Sequence, residues 1–233
     1  MKIYAGTSGY SYKEWKGNFY PEDLPAREML RFFGARLPAV EINNTFYRLP
    51  KVSVLESWAE QVPEHFRFAI KASQRITHVK RLKEAEDETA YLLRSVGVLG
   101  ARLGVILFQL PPHLRKDCER LQQFLKLIPE SMRVAFEFRH SSWWSDEVLD
   151  CLHSRGSVWC VADTDEAETR LVEGGAWGYL RLRRSAYSDA DLAGWVERVL
   201  SQKWEEAFVF FKHEDSGVGP ALARRFLEMA GRS

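Results

Sequence analysis

Two rhythms of apolar and polar positions alternate along the chain. Short runs with a period of two are each followed by a stretch whose apolar residues recur at i, i+3 and i+4, the signatures of half-buried strands and of amphipathic helices. Residues 2–7 form the first such run and break at Ser8-Gly9 into a loop rich in aromatics, Tyr10, Tyr12, Trp15, Phe19 and Tyr20. Pro25 opens a helix that carries Met29, Leu30, Phe32 and Phe33. Residues 38–43 (PAVEIN) read as a second strand, and Val52, Leu55, Trp58 and Ala59 as a second helix that ends near Pro63. A third strand, 66–71, leads through a basic loop with Lys71, Arg75, His78, Lys80, Arg81 and Lys83 into a helix over about 86–99. Residues 104–110 make a fourth strand, stopped by Pro111-Pro112, with its helix at 115–127.

The alternation continues in the second half. A fifth strand at 133–138 precedes a helix at 146–154, and 157–162 (SVWCVA) is a sixth strand. The polar stretch 163–175, with paired glycines, is too short and irregular for a helix with its turns, so this crossover is expected to be a loop. Residues 177–183 form a seventh strand, Ser188 caps a helix with Leu192, Trp195, Val196 and Val199, and an eighth strand at 207–211 precedes a last helix at 219–229. Eight strands alternating with seven helices predict an α/β fold, a TIM (β/α)8 barrel with the crossover after strand six reduced to a loop, with a flavodoxin-like sheet as runner-up. Without a linker or low-complexity tract, residues 1–233 read as a single domain.

Parity then sorts the strand ends. Val40 and Ile42 face the helices, which leaves Glu41 and Asn43 inside. By the same count Lys71, Gln109, Glu137, Arg139, Tyr179, Arg181, Arg183 and Lys212 point inward, and Asp163 terminates strand six. Polar groups thus gather at the C-terminal ends of seven strands while the N-terminal halves stay apolar. In a parallel barrel that rim is where ligands bind.

Composition narrows the setting. A formal net charge of +1 gives no global pull toward nucleic acid or membranes, so any basic preference must be local. The three cysteines, Cys118, Cys151 and Cys160, lack metal-ligand or disulfide spacing. With no apolar run long enough to span a bilayer and no secretory h-region, no membrane association and a cytoplasmic location are expected.

Several stretches also resemble a known family. GTSGYSYKEWKGNFYP at 6–21, EINNTFYRLP at 41–50, FAIKASQRITHVKRL at 68–82, LGVILFQLPP at 103–112 and FEFRHSSWW at 136–144 are similar to the YecE-like family of uncharacterised proteins. The resemblance covers the first two thirds of the chain and implies a TIM barrel and a site location, but no reaction. In the last third, where the family tends to carry a His-Gly pair and two asparagines, this chain has Arg183-Arg184 and Lys212-His213, a more cationic arrangement.

These residues suggest three chemistries. Ser216-Gly217-Val218-Gly219 opens the last helix beside Arg181, Arg183 and Lys212, a place suited to a phosphate or carboxylate. Glu41 and Glu137, on strands two and five, are candidates to flank a ligand as acid and base, with Lys71 as a further base or Schiff-base amine. Glu41, Glu137, Asp163 and His140, with His213 less certain, have metal donors, but the neighbouring cations would repel a metal, and none is expected. No cofactor is called for. The expectation is an enzyme acting on a small anionic polar metabolite, held by Asn43, Tyr10, Gln109, Arg139, His140, Asp163, Arg181, Arg183, Lys212, Gly217 and Gly219. The alternative is a nucleic-acid-binding or processing protein that uses the basic 71–83 loop and the top-face aromatics; the oligomeric state is left open.

Overall fold

The period-two runs pair side by side until the last meets the first. In the computed structural model, which describes residues 1–169, 171, 174–212 and 217–231, they are β1 (Lys2–Ser8), β2 (Ala39–Ile42), β3 (Arg67–Lys71), β4 (Leu103–Gln109), β5 (Val134–Glu137), β6 (Val158–Asp163), β7 (Trp177–Leu182) and β8 (Glu206–Phe211). All neighbours are parallel and sequential, and β1 closes the barrel on β8, with Lys2 opposite Glu206 and Thr7 opposite Phe211. The helices are α1 (Met29–Gly34), α2 (Val52–Gln61), α3 (Glu86–Gly97), α4 (Cys118–Leu125), α5 (Asp146–His153), α6 (Asp189–Leu200) and α7 (Val218–Met229). Between β6 and β7 the described residues contain no helix, as the polar stretch there predicted. None of the described helices is long and apolar enough to cross a membrane.

Alternation divides the apolar residues into two cores. Val40, Ile42, Phe68, Ile70, Phe108, Phe136, Leu180 and Leu182 pack outward against the helices. Tyr4, Ala39, Ala69, Val105, Leu107, Ala135, Cys160, Tyr179, Phe208 and Phe210 fill the barrel. The filling is lopsided: alanines on β2, β3 and β5 face aromatic rings on β1, β7 and β8, so large residues complement small ones across the lumen. Gly6 lies where a β-carbon would come within 1.8 Å of the Ala39 carbonyl oxygen, so β1 and β2 meet as closely as they do only because that side chain is absent. These layers fill the lower barrel and leave the C-terminal rim to polar groups.

Local chemistry sets the helix ends. The Ser188 hydroxyl accepts from the Asp191 amide while the Asp191 carboxylate accepts from the Ser188 amide, a reciprocal cap that starts α6. Asp117 accepts from the Arg120 amide at 3.0 Å and starts α4. The loop after β3 is costlier. It winds into a wide π-type turn over Arg75–Val79, after which Arg81, Leu82 and Glu84 all take left-handed backbone angles, φ 54°, 65° and 50°. For residues other than glycine each such angle costs on the order of 1 kcal/mol, and such strain tends to collect where a binding loop must be held in one shape. The Glu88 carboxylate holds it by pairing with both Arg75 (2.9 Å) and Lys80 (2.8 Å).

Candidate functional site

The inward residues at the strand ends converge on one guanidinium. Arg181, fully buried at the end of β7, donates from Nη1 to Glu137 Oε2 at 2.6 Å and from Nη2 to Glu41 Oε1 at 2.9 Å. Glu41 also accepts from Ser8 Oγ (2.7 Å), Tyr179 Oη (2.7 Å) and Asn43 Nδ2 (3.1 Å). Glu137 also accepts from Gln109 Nε2 (2.7 Å) and Arg139 Nε (3.1 Å). Six strands thus contribute to one buried network: β1, β2, β4, β5 and β7 directly, and β3 through Lys71 beside it. Two buried polar atoms in it lack a partner among the described residues, Arg181 Nε and Asn43 Oδ1. The Asn43 amide cannot turn to remedy this, because the Glu41 carboxylate requires the N–H side.

This geometry fixes the charge states. Burial pushes the Glu41 carboxyl up, but Arg181, with Arg183 and the Tyr179 hydroxyl, outweighs it and holds the group down at about 2. Glu137 behaves alike: burial raises it, Arg181 and Arg139 outweigh burial, and it rests at about 2. Both are therefore carboxylates at neutral pH, and Arg181 fills the space between them. This corrects their expected role: neither is an acid, and they cannot flank a substrate while one guanidinium spans them. They form an anionic floor that holds Arg181.

Lys71 is different. It ends β3 half-buried, with Nζ 4.2 Å from the centre of the Phe46 ring, and makes no ion pair among the described residues. Burial first, then the charge of Arg181, push its ammonium down to about 8, against the opposing pull of Glu41 and Glu137. His78, from the strained loop, packs edge-on against the same Phe46 ring with centroids 4.9 Å apart, and its Nδ1 lies 2.9 Å from Thr77 Oγ1. Burial, then Lys71, Arg139 and His113, hold this imidazole below its ordinary value, so it is neutral at pH 7.

The remaining expected residues divide. Arg183 reaches Ser8 Oγ at 3.3 Å, Arg139 is largely exposed above Glu137, and Lys212, half-buried just after β8, lines a small cavity with Leu182, Tyr187 and Leu222. Asn43 and Tyr10 line a cavity of about 290 Å³ that adjoins the network, together with Tyr12, Thr45 and Trp58. His140 follows β5, and its Nδ1 accepts from the Ser142 amide and caps the turn there.

Asp163 is a correction. Strand β6 alternates so that Trp159, Val161 and Asp163 face the helices, and the Asp163 carboxylate accepts from Arg184 Nε (2.8 Å), Tyr187 Oη (2.9 Å) and Trp195 Nε1 (3.1 Å). It ties β6 to α6 and is not at the mouth. The two glycines of the expected anion loop also have chain-geometry reasons. Gly217 has φ 86° at the start of α7, and a β-carbon on Gly219 would come within 2.4 Å of the Lys212 carbonyl oxygen. The cavity beside Gly219 is about 20 Å³, enough for a water but not for a phosphate. Ser216 and His213 lie outside the described residues.

Three members of the site were not picked out from the sequence. Ser8 has the parity of Tyr4 and Gly6 and is inward on that count alone. Tyr179 is inward by parity, with nothing in the sequence to mark it as a partner of Glu41, and His78 adds only to the basic loop's composition. The top-loop aromatics mostly pack on each other, as in Trp15 with Tyr12, Phe19 and Tyr20. Among the described residues no three His, Cys, Asp or Glu side chains are grouped to share a metal ion.

Residues 4–233 match the family described as "Protein of unknown function DUF72". The chain is 24% identical over 271 residues to the UPF0759 protein YunF of Bacillus subtilis, covering 97% of this chain and 94% of YunF. It is 29% identical over 168 residues to the UPF0759 protein YecE of Escherichia coli O157:H7, covering 70% of this chain and 59% of that relative's length. A crystal structure of a DUF72 family protein from Thermotoga maritima superposes with a TM-score of 0.83 at 25% identity, covering 99% of this chain and all (100%) of that one. A second, from Enterococcus faecalis, superposes at 0.80 with 20% identity, covering 100% of this chain and 98% of that one.

Proposed function

We propose, for a chain that belongs to the DUF72 family of proteins of unknown function, that the C-terminal mouth of its barrel binds a small phosphorylated or carboxylated metabolite, with Lys71 rather than either carboxylate carrying the acid–base chemistry. The observation that carries this reading is the division of labour at the floor. One guanidinium takes both buried carboxylates, so among the described residues four cationic side chains, Lys71, Arg139, Arg181 and Arg183, act on two carboxylates. An anionic ligand group gains from that field, and a cationic one is repelled. The unpaired Asn43 Oδ1 beside the adjoining cavity supplies an acceptor for a hydroxyl or amine elsewhere on the ligand. Lys71, lowered to about 8, is present as both amine and ammonium near neutral pH, whereas both glutamates are present only as carboxylates.

The nucleic-acid alternative draws less support. In the 71–83 loop, Glu88 already takes Arg75 and Lys80, and Glu84 lies 3.8 Å from Lys83. Titration calorimetry of the full chain with inorganic phosphate, pyruvate, glucose 6-phosphate and glucose tests the proposal. The anions are expected to bind, glucose not to, and Arg139→Ala to weaken anion binding about tenfold, roughly 1.4 kcal/mol. Equal affinity for glucose and glucose 6-phosphate, or no anion binding at all, rules the proposal out. Tight, steeply salt-dependent binding of a single-stranded oligonucleotide in place of the small anions would favour the alternative.

A further inference from the structure

The geometry points to Lys71 as an imine-forming amine and to a small aldehyde or ketone bearing a phosphate or carboxylate as the class of ligand it takes. This rests on the anion-binding reading and goes beyond it by assigning the functional group that reacts.

Lys71 is the last residue of β3, and its position is pinned from two sides: its carbonyl accepts from Thr45 Oγ1 at 2.7 Å, and the next amide, of Ala72, donates to the Leu107 carbonyl at 2.8 Å. The side chain therefore leaves a rigid strand end, as a nucleophile that must meet one carbon atom requires. The nearest anions would ordinarily keep a lysine as ammonium, but Glu41 and Glu137 are both bonded to Arg181. What Lys71 Nζ touches is the face of Phe46. Burial and the neighbouring guanidinium act together to release the proton, the arrangement by which a lysine becomes a nucleophile near neutral pH. At pH 8 about half of Lys71 is amine, against roughly 0.3% of a lysine at the ordinary value of 10.5.

The other parts of an imine site are present. His78 packs on the same Phe46 ring as Lys71 and is neutral, so it can take and return a proton. It lies in the wide turn over Arg75–Val79, which three left-handed residues follow. Arg139 and Arg183 offer donors for the anionic tail. In the step itself the Lys71 nitrogen lone pair forms a bond to the carbonyl carbon, and the C=O π pair moves to oxygen. A proton passes from nitrogen to that oxygen through His78, giving a carbinolamine. A proton taken up from solvent, relayed by His78, protonates its hydroxyl, which leaves as one water as the nitrogen lone pair closes the C=N bond of the protonated imine.

Trapping tests this directly on the full chain. Glycolaldehyde phosphate, or its neutral counterpart glycolaldehyde, is added at pH 8 with sodium borohydride, which delivers hydride to the imine carbon and fixes a secondary amine. Peptide mapping then locates it. With glycolaldehyde phosphate, Lys71 is expected to be labelled about tenfold above any other lysine, and inorganic phosphate to suppress the label. His78→Gln is expected to slow labelling more than it weakens phosphate binding, and Lys71→Arg to lose the label. Label spread over many lysines without preference for Lys71, or equal labelling by the two aldehydes, overturns the inference, and since both readouts use the unaltered chain they do not depend on a variant folding. If phosphate binds and Lys71 stays unlabelled, the imine assignment fails and the anion reading stands; if neither occurs, both fail.

Discussion

Replacing Lys71 by methionine is expected to make the protein more stable, the reverse of what most changes at a half-buried position do. The folded value of about 8 lies below the ordinary 10.5, so the fold disfavours the charged form. The sign follows: the penalty is complete below pH 8, shrinks as pH rises from 8 to 10.5, and vanishes above that. A shift of that size corresponds to an upper limit of about 3 kcal/mol at pH 7. Solvent reaches part of this side chain, and the contact with Phe46 contributes about 0.5–1 kcal/mol that Lys71→Met loses and partly regains through sulfur–ring packing. The net expectation is a gain of about 1–2 kcal/mol at pH 7, or roughly 3–6 °C in Tm for a chain of this length. Urea unfolding of both proteins at pH 6, 7, 8, 9 and 10 measures it. The gain is to be largest at the low end and to fall toward zero at the high end. An equal or lower stability of Lys71→Met at pH 7, or a difference flat across that range, refutes the account of why this amine is reactive. A gain in stability together with loss of borohydride labelling would be the trade expected of a residue kept for chemistry.

Two further outcomes follow from the carboxylates. Glu41 and Glu137 are held at about 2, below the ordinary 4.5, so their contribution is present above pH 4.5 and is lost as pH falls toward 2. The unfolding free energy from urea melts between pH 6 and pH 3 should drop by up to about 2 kcal/mol per group, less for the pair because they share Arg181, and Glu137→Gln should flatten that slope; an unchanged slope would count against the shared-guanidinium floor. Asp163→Asn should cost about 2–3 kcal/mol in urea unfolding, since an amide cannot accept from Arg184, Tyr187 and Trp195 together, yet leave phosphate affinity unchanged. A large loss of phosphate affinity in that variant would return Asp163 to the ligand site.

Much of the site was legible because a strand's period of two is rigid. Once Val40 and Ile42 are known to face the helices, Glu41 and Asn43 have only the lumen left to them, and the same holds for Arg181 between Leu180 and Leu182. Asp163 shows where that reasoning lapsed. It was placed by being last in its strand, whereas Trp159 and Val161 on its own parity already pointed outward. The glycines near 217–219 suggested a phosphate loop, but a missing side chain serves close backbone approach as readily as a ligand, and the two cannot be told apart along a chain.

The order of apolar and polar residues, then, was enough to specify the eight strands, their helices, the missing helix after β6 and the rim where charge collects, since each depends only on local periodicity and on parallel strands needing crossovers. What it left open was which charges meet. That Arg181 stands between Glu41 and Glu137, residues 140 and 44 positions away, and that Lys71 is left with a ring rather than a carboxylate, depend on barrel closure bringing β2, β3, β5 and β7 to one point. Charge states follow from those distances and that burial, and so the reactive group could be identified only once the ring of strands had closed.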